Sequence, residues 1–180
     1  MRKKFDKSAF SLIELFVVIA SIVILFMFTI PKMTFFNKFI LQNEADKLFT
    51  VFSFLQQRSI ASNKPCKLFF DIKQNSYSYD LENKLHVHKL PEVVKFGFLH
   101  GVYGPPSDPT QQIAEAITFK TEGKNELSVT FFPDGKIQPG TIYLVDRDQK
   151  FMMAITCPIS NVSYIRKYRF DSGKWNCLSG

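Results

Sequence analysis

Apolar positions follow three regimes along this chain. From Leu12 to Ile30, nineteen residues contain one charge, Glu14, and two hydroxyl side chains, Ser21 and Thr29. About 20 apolar residues cross a bilayer core as a helix, so this run predicts a spanning helix. Further on, Leu41, Ala45, Leu48, Phe52 and Leu55 recur at intervals of four, three, four and three. That is the stripe of an amphipathic helix, with Gln42, Asp46, Lys47, Ser53, Gln56 and Gln57 on its other positions. Pro31 stands between the two patterns, where a proline either ends a helix or removes one hydrogen bond and kinks it. A kinked helix from Phe10 to about Ser62 would be roughly 80 Å long, ending at Asn63-Lys-Pro65 because proline disfavours helix in the residue before it.

The third regime begins at Cys66, where short aromatic and β-branched runs predict antiparallel strands. The runs are Cys66 to Lys73, Ser76 to Glu82, Leu85 to Leu90, Val93 to His100, Ile117 to Thr121, Ser128 to Phe132, Thr141 to Asp146, Phe151 to Cys157, Val162 to Phe170 and Lys174 to Cys177. Gln74-Asn75, Asp134-Gly135 and Ser172-Gly173 read as hairpin turns. The proline-rich stretch from Gly101 to Ile113 is too long for a tight hairpin; it reads either as a mobile surface loop or as a crossover between sheets. The fold class expected is α+β, a long amino-terminal helix packed on antiparallel sheets.

Composition sharpens this picture. With 180 residues, 46% hydrophobic and 22% charged, the chain holds one folded domain plus an appendage and excludes a multidomain enzyme. Arg2, Lys3, Lys4 and Lys7 precede the apolar run with one acid, Asp6, among them. Such a basic flank predicts a cytoplasmic amino terminus, a single membrane pass and an exported body. Glu14 is the anomaly, because a carboxylate in the apolar core costs roughly 2.5–3.5 kcal/mol unless partnered; its plainer reading is a residue at the membrane interface.

The segment Lys7-Ser-Ala-Phe10-Ser-Leu-Ile-Glu14-Leu resembles the leader junction of type IV prepilins and type II secretion pseudopilins. The resemblance implies a leader, residues 1–9, cut by a prepilin peptidase between Ala9 and Phe10, with N-methylation of Phe10. It implies a helix over 10–62 whose half 10–30 is transmembrane in the inner membrane, bending at Pro31, and a periplasmic β body over 63–180. Glu14 would neutralise the Phe10 amine of a neighbouring subunit during assembly. The partners implied are other pseudopilin or pilin subunits in a helical filament and an inner-membrane assembly platform. Ala9 departs from the Gly usual before the cut, which bears on processing efficiency. Leader removal would take four of the 23 basic and one of the 16 acidic side chains, leaving 19 against 15, a net +4. A weaker likeness, carried by Val129-Thr-Phe-Phe-Pro-Asp-Gly135, Thr141-Ile-Tyr-Leu-Val145 and Phe151 to Thr156, is to the H-type minor pseudopilins and related minor pilins.

Other chemistry is sparse. No G-x-S-x-G, H-E-x-x-H or G-x-x-x-x-G-K motif occurs, so no catalysis and no cofactor is expected. His86 and His88 share a strand face without an evident third ligand, and Asp146 and Asp148 are split by Arg147, so no metal is expected. Cys66, Cys157 and Cys177 are an odd set in a compartment that permits pairing. The preferred pair is Cys157 with Cys177, with Cys66–Cys157 and three reduced thiols as alternatives. Arg166-Lys-Tyr-Arg169 loosely resembles the basic sequence with which some related minor pilins bind DNA, without its Gly. Arg166, Lys167 and Arg169 are therefore the candidate nucleic-acid contacts, against a solvated strand face or a subunit contact. Alternation puts Lys167 and Arg169 on one face with Ile165, and Arg166 opposite. Two rival functions remain at this point: a DNA-binding minor pilin in DNA uptake, and a single-pass membrane protein that does not polymerise.

Overall fold

A computed structural model of the chain describes residues 11–29, 33–82, 84–105, 109–119, 127–158 and 164–179. Two compact units are present, Met1–Phe35 and Phe36–Gly180. In the first, helix α1 (Leu12–Thr29) follows Ser11, whose carbonyl accepts the first helical bonds from the Glu14 and Leu15 amides. Helix α1 is about 27 Å long, against a bilayer core of about 30 Å. Among the described residues no helix is long and apolar enough to cross a membrane. Ile30, the last residue of the apolar run, lies outside them, as does the expected kink at Pro31.

Helix α2 (Met33–Ser62) carries the predicted stripe. Leu41, Ala45, Leu48, Phe52 and Leu55 are each at most 1% exposed. The helix ends at Ser62, and backbone geometry at Asn63 makes the stop. Asn63 turns into the left-handed region (φ 50°), its amide bonds the Ile60 carbonyl, and the Lys64 amide reaches back to Ser59. That is a Schellman closure with asparagine in the position glycine usually fills.

Nine strands follow among the described residues: β1 (Cys66–Asp71), β2 (Ser76–Leu81), β3 (Lys84–Lys89), β4 (Val94–Phe96), β5 (Leu127–Phe131), β6 (Gly140–Asp146), β7 (Met152–Cys157), β8 (Arg166–Asp171) and β9 (Lys174–Ser179). They form two antiparallel sheets, ordered β3-β2-β1-β5 and β4-β6-β7-β8-β9. The described part of the predicted run from Ile117 to Thr121, residues 117–119, is not a strand of either sheet. That part bridges Ile117 to Ile142, and the Thr118 amide donates to Thr141. The run from Val93 to His100 keeps only three strand residues. Ser172 and Gly173, both at positive φ (52° and 81°), close the β8–β9 hairpin as expected.

The inner faces of both sheets converge on the α2 stripe. Phe52 packs edge-on to Phe131 at 5.3 Å and tilted against Phe119 at 6.1 Å, among Leu68, Val129, Ile142, Leu144, Met153 and Ile155. A second cluster lies on the far side of the larger sheet, where Ile113, Tyr143, Met152, Ala154 and Tyr168 pack with Phe98, Leu99, Val102, Phe170 and Trp175. Every residue of β7 is consequently buried. The Gly101 to Ile113 stretch is therefore a pinned cover in its described part: Ile113 donates to Val102, Gly104 to Gln111, and the Trp175 indole to Tyr103.

Two substitutions test this packing by urea unfolding. Phe52→Ala should cost about 3–5 kcal/mol. Gly140→Ala should destabilise by about 1 kcal/mol or more, because a Cβ there would stand 2.5 Å from Phe119 Cδ1; a neutral result would contradict the close approach.

Candidate functional site

The residues singled out by sequence fall at three places. The first is the amino terminus. Ala9 and Phe10 lie outside the described residues; Glu14 is described, exposed, in the first turn of α1. With Ser11 preceding the helix, Glu14 is its third residue. There a carboxylate meets the partial positive charge of the helix start, and the Ser-x-x-Glu spacing is that of a capping box. Local helix chemistry thus supplies a reason for Glu14 that the apolar pattern did not reveal. Along α1, Leu12, Ile13, Phe16 and Met27 are each at least 70% exposed, an apolar surface without cover in its own unit.

The second place is the seam between α2 and β8. As alternation predicts, Lys167 and Arg169 share the face that carries Ile165, and Arg166 faces away with Tyr168. The inward pair is engaged. Lys167 is ion-paired with Asp46 of α2 and lies over the Phe49 ring at 5.4 Å, leaving 13% of its side chain exposed. Asp171 takes Arg169 at 3.8 Å and Lys38 of α2 at 3.6 Å. Of the three proposed nucleic-acid contacts, Lys167 thus holds the helix on the sheet, while Arg169 pairs within its own strand with the carboxylate that Lys38 of α2 also reaches. Arg166 stacks over Tyr164 at 4.4 Å and donates to the Tyr168 hydroxyl, which raises its pKa.

The third place is the seam between α2 and the smaller sheet. Glu44, 2% exposed, accepts from Lys47 (2.7 Å) and pairs with His88 Nε2 (2.8 Å). Tyr77 packs on His88, and Tyr79 stacks on His86. Burial, and then the Glu44 charge, push the Tyr77 phenol well above its ordinary range. His88 is therefore a partner of a buried carboxylate, a role the sequence did not signal because Glu44 breaks no visible pattern. At the other end of α2, Gln56 donates to the Gly135 carbonyl. The Ser59 hydroxyl is shared between the Lys64 and Phe131 carbonyls. The Phe-Pro-Asp-Gly turn is thus read directly by the helix. The Lys136 side chain, bonded to Asp134, holds that carboxyl below its usual range.

The preferred disulfide does not form. In the register, Ala154 faces Tyr168 and Tyr168 faces Cys177, so β8 separates β7 from β9. Cys157 is also three residues further along its strand, beyond the roughly 7 Å Cα limit for a bridge. Cys157 is buried against the α2 stripe, and burial pushes its thiol pKa up. Cys66 sits opposite Phe131 at the start of β1.

No family model and no curated protein matches the chain. Two solved structures of EpsH, a minor pseudopilin of the type II secretion system of Vibrio cholerae, are similar to it. One is 9% identical, with a TM-score of 0.48 over 69% of this chain and 94% of its own. The other is 12% identical, with a TM-score of 0.46 over 79% and 95%.

If the β8 lysine is a clamp, Lys167→Ala should lower stability by about 1 kcal/mol, and Arg166→Ala should stay within about 0.5 kcal/mol. Equal effects in thermal unfolding would contradict the assignment.

Proposed function

We propose that the chain is a minor pseudopilin or related minor pilin, a structural subunit held in the inner membrane and drawn into a short filament. The observation that carries this reading is Glu14 in the first turn of an apolar helix, immediately behind a basic leader junction. A prepilin peptidase cuts between Ala9 and Phe10 and methylates the new amine, and the run to Ile30 anchors the body on the periplasmic side. As the subunit leaves the bilayer for the filament, Glu14 of one copy meets the Phe10 amine of its neighbour. Two charges that are each costly in lipid become one pair.

Head-to-tail contacts of this kind do not close on themselves and generate a helical assembly. An exposed apolar α1 in one unit and a separate core in the other support such a division of labour, the helix supplying filament contacts and the β body the subunit's identity. The work is mechanical, in protein secretion or pilus assembly, with an inner-membrane platform as the expected driver. The ion pair of Lys167 with Asp46 counts against the DNA-uptake alternative, which needs that lysine among its cations.

Glu14→Ala should leave leader removal intact and abolish incorporation into filaments, read by cross-linking between subunits in membrane and sheared fractions. Normal incorporation would contradict the charge-pair account and favour a single-pass protein that does not polymerise.

A further inference from the structure

The smaller sheet ends at β3, and among the described residues the outer side of β3 meets no strand of either sheet. Two residues, 82 and 83, join β2 to β3, and Leu81 faces Lys84 across the turn. In a hairpin closed this way the flanking pair exchanges both its hydrogen bonds, so even-numbered residues of β3 bond inward to β2. The Leu90 amide, which donates to the Asn75 carbonyl at 2.9 Å, continues that even-numbered set. The backbone groups of Leu85, Val87 and Lys89 therefore point away from the sheet.

Two of the other three edges, β4 and β5, differ. The short β4 has its outer groups taken by the Asn75 side chain, which donates to Val94 and accepts from Phe96. The outer side of β5 is covered by the bridge from Phe131 to Ile137 and the bond from Gln138 to Thr130. β3 instead keeps Leu85 64% and Val87 62% exposed, the two most exposed large apolar side chains described in the β body. Beside it runs a groove of about 620 Å³, walled by Asn43, Lys47 and Thr50 of α2 and by Tyr79, His86 and His88 of the sheet. An open strand edge beside a helix-walled groove is the geometry in which an extended peptide adds as another strand.

Charge selects the occupant. β3 carries Lys84 and Lys89 at its two ends and no carboxylate. The acids around the groove are already engaged: Glu44 with Lys47 and His88, Asp46 with Lys167, and Glu82 with Arg58. Asp80 lies one strand further in, opposite Leu85. A second copy of β3 pairing antiparallel through its outward groups would set odd-numbered residues opposite one another, Val87 against Val87 and Lys89 against Leu85, and would offer neither lysine a carboxylate, since β3 has none.

We propose that β3 is a docking edge for an extended acidic segment of a partner protein, bound antiparallel with the pattern acid, any, apolar, any, apolar, acid. The two acids face Lys89 and Lys84, the apolar residues cover Val87 and Leu85, and the intervening side chains enter the groove beside His88 and His86. Neither the leader nor Glu14 enters this inference, which stands apart from the filament reading.

The test uses the full chain in detergent micelles and a fluorescein-labelled peptide, Gly-Ser-Glu-Thr-Val-Thr-Val-Asp-Ser-Gly, followed by fluorescence anisotropy. A control peptide carries lysine in place of both acids. The acidic peptide should bind at low salt about tenfold more tightly than the control and slow amide exchange at Leu85, Val87 and Lys89. Lys84→Glu with Lys89→Glu should reverse the preference. Val87→Pro, which removes an outward amide while sparing the β2–β3 bonds, should abolish binding. Equal affinity for the two peptides, no binding by about 1 mM, or β3 protection that grows with protein concentration without peptide would overturn the proposal.

Discussion

A helix has one apolar stripe, and here two sheets must bury it together. Leu41, Ala45, Leu48, Phe52 and Leu55 are all but fully removed from water, and the core that achieves this draws on both sheets as well as α2. The polar contacts follow from the same geometry. Glu44 sits beside the stripe and ties α2 to His88 of the smaller sheet, while Asp46 takes Lys167 of the larger one. Gln56 and Ser59 finish the seam against the Gly135 turn and the Phe131 carbonyl. Without the helix, the inner faces of both sheets would be exposed apolar surface.

Much of this is legible in sequence because it rests on local periodicity. The four-three spacing marks the buried face of α2, and two-residue alternation separates Lys167 and Arg169 from Arg166 on β8. Turn chemistry marks Ser172-Gly173. What sequence left open depends on which strands become neighbours. Cys157 and Cys177 stand on nearby stretches of a strand-rich region, with one strand between them in the sequence, and that strand, β8, also lies between theirs in the sheet. The Gly101 to Ile113 stretch reads as loop by composition, but it covers aromatic side chains contributed by β6, β8 and β9. Lys167 of β8 reads as part of a surface stripe because nothing local announces that Asp46, 121 residues away, will meet it.

The candidate site divides the same way. The leader junction and Glu14 are visible as a short motif and a misplaced charge. The Glu44–His88 pair is not, since a carboxylate on a helix ordinarily faces water and this one lies 44 residues from its partner. Ser11 ahead of α1 adds a local role for Glu14 at the helix start. That role and a role in assembly are compatible, because a first-turn carboxylate is well placed to meet an amine at the end of a neighbouring helix.

The central claim is that this chain is a processed filament subunit rather than a permanently bitopic protein. The most direct measurement is tandem mass spectrometry of the amino-terminal peptide from protein isolated from its native membranes. The account predicts a chain that lacks residues 1–9 and begins with N-methylated Phe10. A mature chain that still begins at Met1 would contradict it.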